Sequence, residues 1–302
     1  MSEEILVNVT PQETRIAMVE NGVLQEAYIE RMRSRGIVGN IYKGRVNRVL
    51  PGMEAAFVDI GLERAAFLHV SDIDRDHPPG SEWEQENGVV GQDNGASPSV
   101  VTEGSGEARS MTISDLLRQD QDVLVQAIKD PLGSKGARLT TQITVPSRYL
   151  VYMPNARNIG VSSRIEDPEE RSRLKGLVEA VREESGGAGG YIIRTAAEGA
   201  TREDIERDLS FLLKLWKGIQ ERAHQTPPGS QVHEDLPIVL RTLRDLVGEH
   251  IEKIRIDSRE TYHRAVNFAE RLIPESLPLI EHYPGERPIF DIYGIDDEIQ
   301  KA

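Results

Sequence analysis

Two phenylalanines on neighbouring segments are the first candidates for binding chemistry. Phe57 lies in EAAFVDIG and Phe67 in AAFLHV, and both segments have the residue types of short strands. Aromatic rings on the exposed face of such strands stack on nucleic-acid bases, with about 1–3 kcal/mol for each base. The alternative is that both rings belong to a hydrophobic core, where most phenylalanines lie. The chain has only five phenylalanines, so a pair on adjacent strands stands out.

A lysine between two glycines is the second candidate. The run Gly133-Ser134-Lys135-Gly136 suits a tight turn from which Lys135 can reach a phosphate. The alternative is an ordinary solvated lysine, since lysines are mostly exposed. Lys43 and Arg45 are further candidates, because residues 31–53 hold six bases and no acid. Residues 131–165 form a second window without acids, with five bases.

An arginine and a threonine are adjacent at the end of a third predicted strand, Ile192-Ile193-Arg194-Thr195-Ala196-Ala197. Arg194 offers a planar fork of N–H donors and Thr195 a hydroxyl, which together suit one phosphate group. The alternative is a surface ion pair between Arg194 and a nearby acid such as Glu198, since many arginine–carboxylate pairs are plain surface features.

Catalytic constellations are hard to find in this sequence. There is no cysteine, which excludes disulfides, thiolate zinc sites and a cysteine nucleophile within these residues. The seven histidines are scattered, and neither a Walker A pattern nor GxSxG occurs. Asp296-Asp297-Glu298 is an acidic run that we interpret as a solvated helix face and not as a metal site. We therefore predict neither catalytic nor metal-binding residues.

The formal net charge of −14 over 302 residues argues at first against a nucleic-acid binder. Half of that charge lies in residues 71–110, which hold nine acids and two bases, and residues 275–302 add seven acids and two bases. Phosphate binding depends on the local electrostatic potential and not on the net charge, so the two basic windows are candidates for a phosphate-binding surface. No run approaches the roughly 18 apolar residues of a membrane span, and the amino terminus lacks the apolar segment of a signal peptide. We expect a cytoplasmic protein that contacts no membrane.

The elements that must position these residues predict an α+β fold. Strand patterns at 4–9 and 15–19 and a third strand after the turn signal Glu20-Asn21-Gly22 form an antiparallel meander. Five short strands between residues 40 and about 142 predict a closed barrel of OB type. Strands at 149–154 and 191–197 follow, with helices from Asp167 to about Glu184 and from Thr201 to about Ala223. A helix at about 236–248, a strand at 254–258 and a helix at 259–272 are placed to complete the first sheet.

Several long blocks in order resemble the ribonuclease E/G family. They are LVNVTPQETRIA, GIVGNIYKGRVNRVLPGMEAAFVDIGLERAAFLHVSDI, KDPLGSKGARLTT, PSRYLVYMP and GGYIIRTAAEGA. The resemblance implies single-strand cuts in RNA, with a preference for a 5′-monophosphate and a need for Mg²⁺. It implies that Phe57, Phe67 and Lys135 hold RNA, and that Arg194 and Thr195 grip the 5′-monophosphate in a pocket lined by Val151.

The resemblance also implies a division of the chain. Residues 1–36 and 236–302 correspond to two parts of an RNase H-like subdomain. Residues 37–142 correspond to an S1 domain of OB fold with an acidic loop at about 75–111. Residues 143–235 correspond to an α/β 5′-sensor region. The RNase H-like subdomain is thus interrupted by the barrel and the sensor region.

Two motifs of the family do not occur in these residues. The metal-binding aspartates lie in a motif like AIDVNTG, and a zinc link is built on CPxC. We therefore expect this chain to bind single-stranded RNA with a 5′-monophosphate but not to cut it, with no cofactor of its own. Full-length members of the family form homo-oligomers. The alternatives are a standalone S1-domain RNA-binding or sensor protein without nuclease activity, and a protein-interaction module built on the same barrel.

Overall fold

The computed structural model describes residues 3–32, 35–74, 112–133, 135–186, 188–246 and 250–301. The chain divides into two compact units. The sheet unit comprises residues 1–37, 144–217 and 235–302, and the barrel unit comprises residues 38–143 and 218–234. The acidic loop predicted at about 75–111 lies outside the described residues.

Fifteen strands and seven α-helices follow one another along the described residues. The strands are β1 (Glu3–Val9), β2 (Glu13–Glu20), β3 (Val23–Arg31), β4 (Ile41–Leu50), β5 (Ala55–Asp59), β6 (Ala66–His69), β7 (Asp122–Lys129), β8 (Arg138–Thr140), β9 (Val145–Pro146), β10 (Leu150–Met153), β11 (Ile159–Val161), β12 (Gly190–Ile193), β13 (Ser230–His233), β14 (Ile251–Ile256) and β15 (Ile280–His282). The helices are α1 (Ile113–Leu116), α2 (Pro168–Glu184), α3 (Arg202–Gln225), α4 (Ile238–Leu246), α5 (Arg259–Leu272), α6 (Ile289–Ile292) and α7 (Ile295–Lys301).

The first sheet of the sheet unit has the strand order β15-β14-β1-β2-β3. β1 pairs antiparallel with β2 and parallel with β14, so the strand predicted near residue 254 completes the sheet that the meander begins. Asn21 and Gly22 join β2 to β3 with φ of 50° and 83°. Two consecutive residues with positive φ form the type I′ turn that matches the twist of a hairpin, and Asn-Gly is its preferred sequence.

Both faces of this sheet are buried. Because side chains alternate along a strand, Ile5 and Val7 point to one face and Leu6 to the other. Ile5 and Val7 pack in a cluster with residues of α4 and α5, such as Leu243 and Ala269. Leu6 packs with Ile289, Phe290 and Ile295 of α6 and α7. Burial of aliphatic side chains on both faces is therefore the main stabilisation of this sheet.

The second sheet of the sheet unit has the order β11-β12-β10-β9. Helix α2 begins at its predicted cap, where the carboxylate of Asp167 accepts a hydrogen bond from the backbone N–H of Glu169 at 3.0 Å. Thr201 and Asp204 form reciprocal hydrogen bonds that cap α3. The buried ring of Tyr152 on β10 lies 6.3 Å from the partly exposed ring of Trp216 on α3.

The barrel unit contains a closed barrel of five strands in the order β4-β5-β6-β8-β7, closed by pairing of β7 with β4. Alternate side chains such as Val58 and Leu68 are fully buried inside it. β13 adds to the outer edge at β4, with Ser230 opposite Lys43. The predicted α+β fold with an inserted barrel of OB type is thus confirmed.

The structure differs from the sequence prediction in the short elements. β9, β11, β13 and β15 have two to four residues each and were not predicted. β12 ends at Ile193, and a 3₁₀ turn takes over at Thr195–Ala197. Residues 218–234 pack with the barrel, although the predicted division placed them with the sensor region. No helix in the described part of the chain is long and apolar enough to cross a membrane.

Candidate nucleic-acid interface

Phe57 and Phe67 lie directly opposite each other on β5 and β6, on the outer face of the barrel. Their strand neighbours Ala56, Val58 and Leu68 are fully buried, whereas both phenylalanines are partly exposed. The ring centroids are 6.3 Å apart with an interplanar angle of 67°. The alternative that both rings fill the barrel core is therefore wrong, since both are partly exposed.

His69 extends this aromatic surface and was missed in the sequence. It lies two residues after Phe67 on β6, so period-2 alternation places it on the same face. Its ring is 6.3 Å from that of Phe67 at an interplanar angle of 30°. Nδ1 lies 2.8 Å from Oγ of Ser71, which fixes the ring. The spacing Phe-Leu-His was the signal that could have identified it. We call Phe57, Phe67 and His69 the aromatic face.

Two exposed cations lie on segments that adjoin the strands of the aromatic face. Lys135 is exposed in the turn between β7 and β8, where its backbone exchanges hydrogen bonds with Leu132. Gly136 passes so close to β6 that a Cβ would lie 2.1 Å from the carbonyl oxygen of Ala65, so only glycine lets the turn approach the strand. Arg48 on β4 is exposed and pairs across the strands with Phe57. Within the described residues neither cation has an ion-pair partner.

Lys43 and Arg45 occupy different environments from Lys135. Lys43 is only 9% exposed, and its Nζ donates to the carbonyl oxygen of Ala223 at 3.0 Å. Arg45 is exposed but its Nε is 2.9 Å from Oδ1 of Asp122. A phosphate would have to compete with these acceptors. Arg48, which the sequence prediction passed over, is the better-placed arginine, and the roles of Lys43 and Arg45 stay predictions.

Arg194, Thr195 and Val151 come together at one end of the second sheet of the sheet unit. Val151 pairs with Ile192, and the backbone N–H of Arg194 donates to the carbonyl of Tyr149 at 2.8 Å. Because Ile193 is buried, alternation puts Ile192, Arg194 and Val151 on the opposite, partly exposed face. Thr195 is the first residue of the 3₁₀ turn. Val151 and Arg194 therefore share one face near this end of the sheet, and Thr195 follows Arg194 directly.

The guanidinium of Arg194 is held by acceptors that are remote in sequence. Its Nη1 lies 2.6 Å from the carbonyl oxygen of Ser147, 3.2 Å from that of Arg148 and 2.8 Å from Oδ1 of Asp245. The acidic partner is therefore Asp245 and not the nearby Glu198 considered from the sequence. Burial by itself would raise the pKa of Asp245, but the hydrogen bonds and charges of Arg244 and Arg194 outweigh it and lower the pKa.

The acidic run near residue 296 takes part in structural contacts. Oδ1 of Asp296 is 2.7 Å from Nη1 of Arg15, and Glu298 accepts a hydrogen bond from the backbone N–H of Leu24 at 3.0 Å. Among the described residues no three histidine or carboxylate side chains are grouped so that they could hold a metal ion. The described residues therefore do not fit the Mg²⁺ site that the resemblance implies.

The chain is similar to known proteins over its whole length. A family model for the ribonuclease E/G family matches residues 144–302. The chain is 48% identical over 305 residues to ribonuclease G of Salmonella typhimurium, which covers 100% of this chain and 57% of the relative. It is 49% identical over 299 residues to ribonuclease G of Haemophilus influenzae, with 99% and 56% covered.

More distant similarity follows the same pattern. The chain is 35% identical over 303 residues to ribonuclease E of Escherichia coli, covering 99% of this chain and 26% of the relative. The chain thus spans somewhat more than half the length of the ribonuclease G relatives that it matches. The family model matches more than half of the residues of the chain, which is enough to assign the family. It belongs to the ribonuclease E/G family.

Proposed function

We propose that this chain is the RNA-binding and 5′-monophosphate-sensing part of a ribonuclease G-type endoribonuclease that acts on single strands. The aromatic face on the barrel is the observation that carries the proposal. Three partly exposed rings, each 6.3 Å from the next along the face, offer aromatic surfaces on which unpaired bases can stack. Lys135 and Arg48 beside it supply positive charge for the RNA backbone. Duplex bases are already stacked on one another, so this surface favours single strands.

The sensing part of the proposal rests on Arg194 and Thr195. A 5′-monophosphate carries up to two negative charges and three acceptor oxygens. Arg194 and Thr195 are consecutive and both are partly exposed, at the point where β12 ends and the 3₁₀ turn begins. A 5′-hydroxyl end lacks these charges, so the same residues would discriminate against it.

Binding with and without the terminal phosphate tests this proposal. A ten-nucleotide AU-rich RNA with a 3′-fluorophore and either a 5′-monophosphate or a 5′-hydroxyl is titrated with the chain. We expect the phosphorylated RNA to bind at least about tenfold more tightly, because hydrogen bonds to a charged group contribute about 1.5–3 kcal/mol. Arg194→Ala should remove this preference and leave binding of the 5′-hydroxyl RNA unchanged. Equal affinities of the wild-type chain for the two RNAs would contradict the sensing part.

We further propose that these 302 residues bind RNA without cutting it. The support is that no segment of the sequence resembles the AIDVNTG-like motif. Incubation of the purified chain with 5′-monophosphorylated RNA and Mg²⁺, analysed on a denaturing gel, should yield intact RNA at protein concentrations that saturate binding. Cleavage at defined sites that co-purifies with the chain and is lost in Phe57→Ala would overturn this part.

A further inference from the structure

We propose that Asp245 is a positioning residue, which holds one nitrogen of Arg194 so that the other edge of the guanidinium is presented to the terminal phosphate. This inference rests on the proposed function of Arg194. The carboxylate of Asp245 and two backbone carbonyls all contact the same atom, Nη1. Nη1 carries two N–H groups, so these three acceptors satisfy it completely.

The remaining donors of Arg194 lie on the Nε–Nη2 edge. This edge carries parallel N–H groups that match two oxygens of a phosphate or carboxylate. The described residues form no hydrogen bond with Nε or Nη2 of Arg194, since both of its side-chain hydrogen bonds leave from Nη1. The side chain is 27% exposed, so an oxyanion can approach it from solvent. The arginine is thus fixed at one nitrogen and open along the edge that binds phosphate in two-pronged fashion.

Asp245 is itself fixed in place by Arg244. Nε of Arg244 donates to Oδ1 of Asp245 at 3.0 Å and Nη2 donates to Oδ2 at 2.8 Å. The Arg244 side chain is only 7% exposed, so this two-pronged pair is shielded from water. Oδ1 of Asp245 therefore links a buried guanidinium to the partly exposed one. The lowered pKa of Asp245 keeps the carboxylate charged at neutral pH.

The two carbonyls that complete the arrangement are also rigidly held. They belong to Ser147 and Arg148, whose segment is fixed from its other side by the buried carboxylate of Asp208. Arg194 consequently contacts groups that are held by hydrogen bonds of their own. A side chain that is already ordered loses less conformational entropy on binding, which strengthens the complex. On this view Asp245 raises the affinity for the phosphate despite its negative charge.

The opposite role would be competition, in which Asp245 occupies the position of the phosphate and is displaced by it. The two roles predict effects of opposite sign when Asp245 is replaced. If Asp245 positions Arg194, then Asp245→Ala lowers the preference for 5′-monophosphorylated over 5′-hydroxyl RNA. If Asp245 competes, the same change raises it. The ratio of the two dissociation constants therefore decides between them.

The experiment measures this ratio by fluorescence anisotropy with the two ten-nucleotide RNAs. The ratio is the dissociation constant of the 5′-hydroxyl RNA divided by that of the 5′-monophosphorylated RNA. We expect it to fall about tenfold in Asp245→Ala, and less in Asp245→Asn, whose amide oxygen still accepts from Arg194. The affinity for the 5′-hydroxyl RNA should stay unchanged in both variants. Asp235→Asn is the control, because Asp235, which lies just before α4, pairs with Arg241 of α4 at 2.9 Å, and its replacement should leave the ratio unchanged. An unchanged or raised ratio in Asp245→Ala overturns the inference.

Two further measurements separate the possible failures. If Arg194→Ala leaves the ratio unchanged, the proposed sensing function is wrong and the inference falls with it; if only Asp245→Ala leaves it unchanged, the inference alone is wrong. Should Asp245→Ala fail to fold, the Nε–H resonance of Arg194 is followed in Asp245→Asn. A 5′-phosphorylated dinucleotide should shift this resonance in wild type. At the same dinucleotide concentration, the shift in Asp245→Asn should be about a third as large or smaller. Equal shifts in both proteins overturn the inference.

Discussion

Asp208→Ala is expected to lower the free energy of unfolding of the sheet unit by about 3 kcal/mol, the range seen when a buried charged network loses one partner. Asp208 on α3 is 2% exposed. Its carboxylate accepts from the hydroxyl of Ser147 at 2.5 Å and from the backbone N–H groups of Arg148, Tyr149 and Leu150 at 3.3, 3.1 and 2.9 Å. Alanine would leave these donors without an acceptor in a site that excludes water.

Urea unfolding followed by the fluorescence of Trp216 measures this loss. The chain has a second tryptophan, Trp83, so the series is made in a Trp83→Phe background. Glu206→Ala on the same helix is the control, because Glu206 is exposed and pairs with Arg202 at the surface, a contact that contributes about 0–1 kcal/mol. If Asp208→Ala costs no more than Glu206→Ala, the hydrogen-bond network does not stabilise the unit.

Asp208 also predicts a pH dependence with a definite sign. Burial raises its pKa to about 6, although the hydrogen bonds from Ser147 and the backbone oppose the shift. A raised pKa in the folded state means that folding takes up a proton, so the contribution of this group to stability is full below about pH 4 and is lost as the pH rises through about 6. The unfolding free energy of wild type minus that of Asp208→Asn should therefore increase as the pH falls from 7 to 4. A difference that shrinks over this range would contradict the assignment.

The parts of the fold that follow from local rules could be predicted from the sequence. Asn21-Gly22 specifies a hairpin turn, and Asp167-Pro168 specifies a helix start, because the residues themselves supply the backbone conformation and the cap. β13 and β15 could not be predicted in this way. They contain four and three residues and exist because β4 and β14 offer free edges far away in the sequence.

The candidate site likewise has features that the local sequence predicts and features that depend on residues far away in the chain. The sequence indicates that Phe57 and Phe67 lie on adjacent strands, but whether their rings point into or out of the barrel depends on how it closes between β4 and β7. Lys43 was selected for its charge, yet its ammonium lies against a carbonyl 180 residues further along the chain. The role of Asp245 could not be predicted for the same reason, since nothing near it in the sequence indicates that it contacts Arg194.

The largest effect on RNA binding is expected for the double variant Phe57→Ala/Phe67→Ala. Each ring is expected to contribute about 1–3 kcal/mol through stacking with a base, so their joint loss should weaken binding of single-stranded RNA about a hundredfold or more. The rings are only partly buried, and their mutual edge-to-face contact stabilises the fold by about 0.5–1.5 kcal/mol. The folded chain should therefore survive the change, and circular dichroism and the melting temperature verify this.

The salt dependence separates stacking from electrostatics in this prediction. Removing the rings removes no charge, so the slope of log affinity against log salt concentration should stay unchanged in the double variant. Lys135→Ala should instead reduce the slope by about 0.7, the value for one phosphate contact on a single strand. A change of slope in the double variant would mean that the RNA has moved away from its backbone contacts and that the rings do more than stack.

A second double variant, Phe57→Leu/Phe67→Leu, tests whether aromaticity itself matters. Leucine keeps most of the apolar surface but has no flat face for a base. The RNA affinity of the leucine double variant should therefore fall nearly as far as that of the alanine double variant. Met53→Ala serves as the control for loss of exposed apolar surface on the same barrel, because Met53 is 60% exposed and has no ring. We expect it to bind RNA within about twofold of wild type, since surface substitutions away from a site change energies by about 0.5 kcal/mol or less. If the leucine pair binds RNA as tightly as wild type, the aromatic face does not hold RNA by stacking, and the basic residues Lys135 and Arg48 would have to account for the affinity.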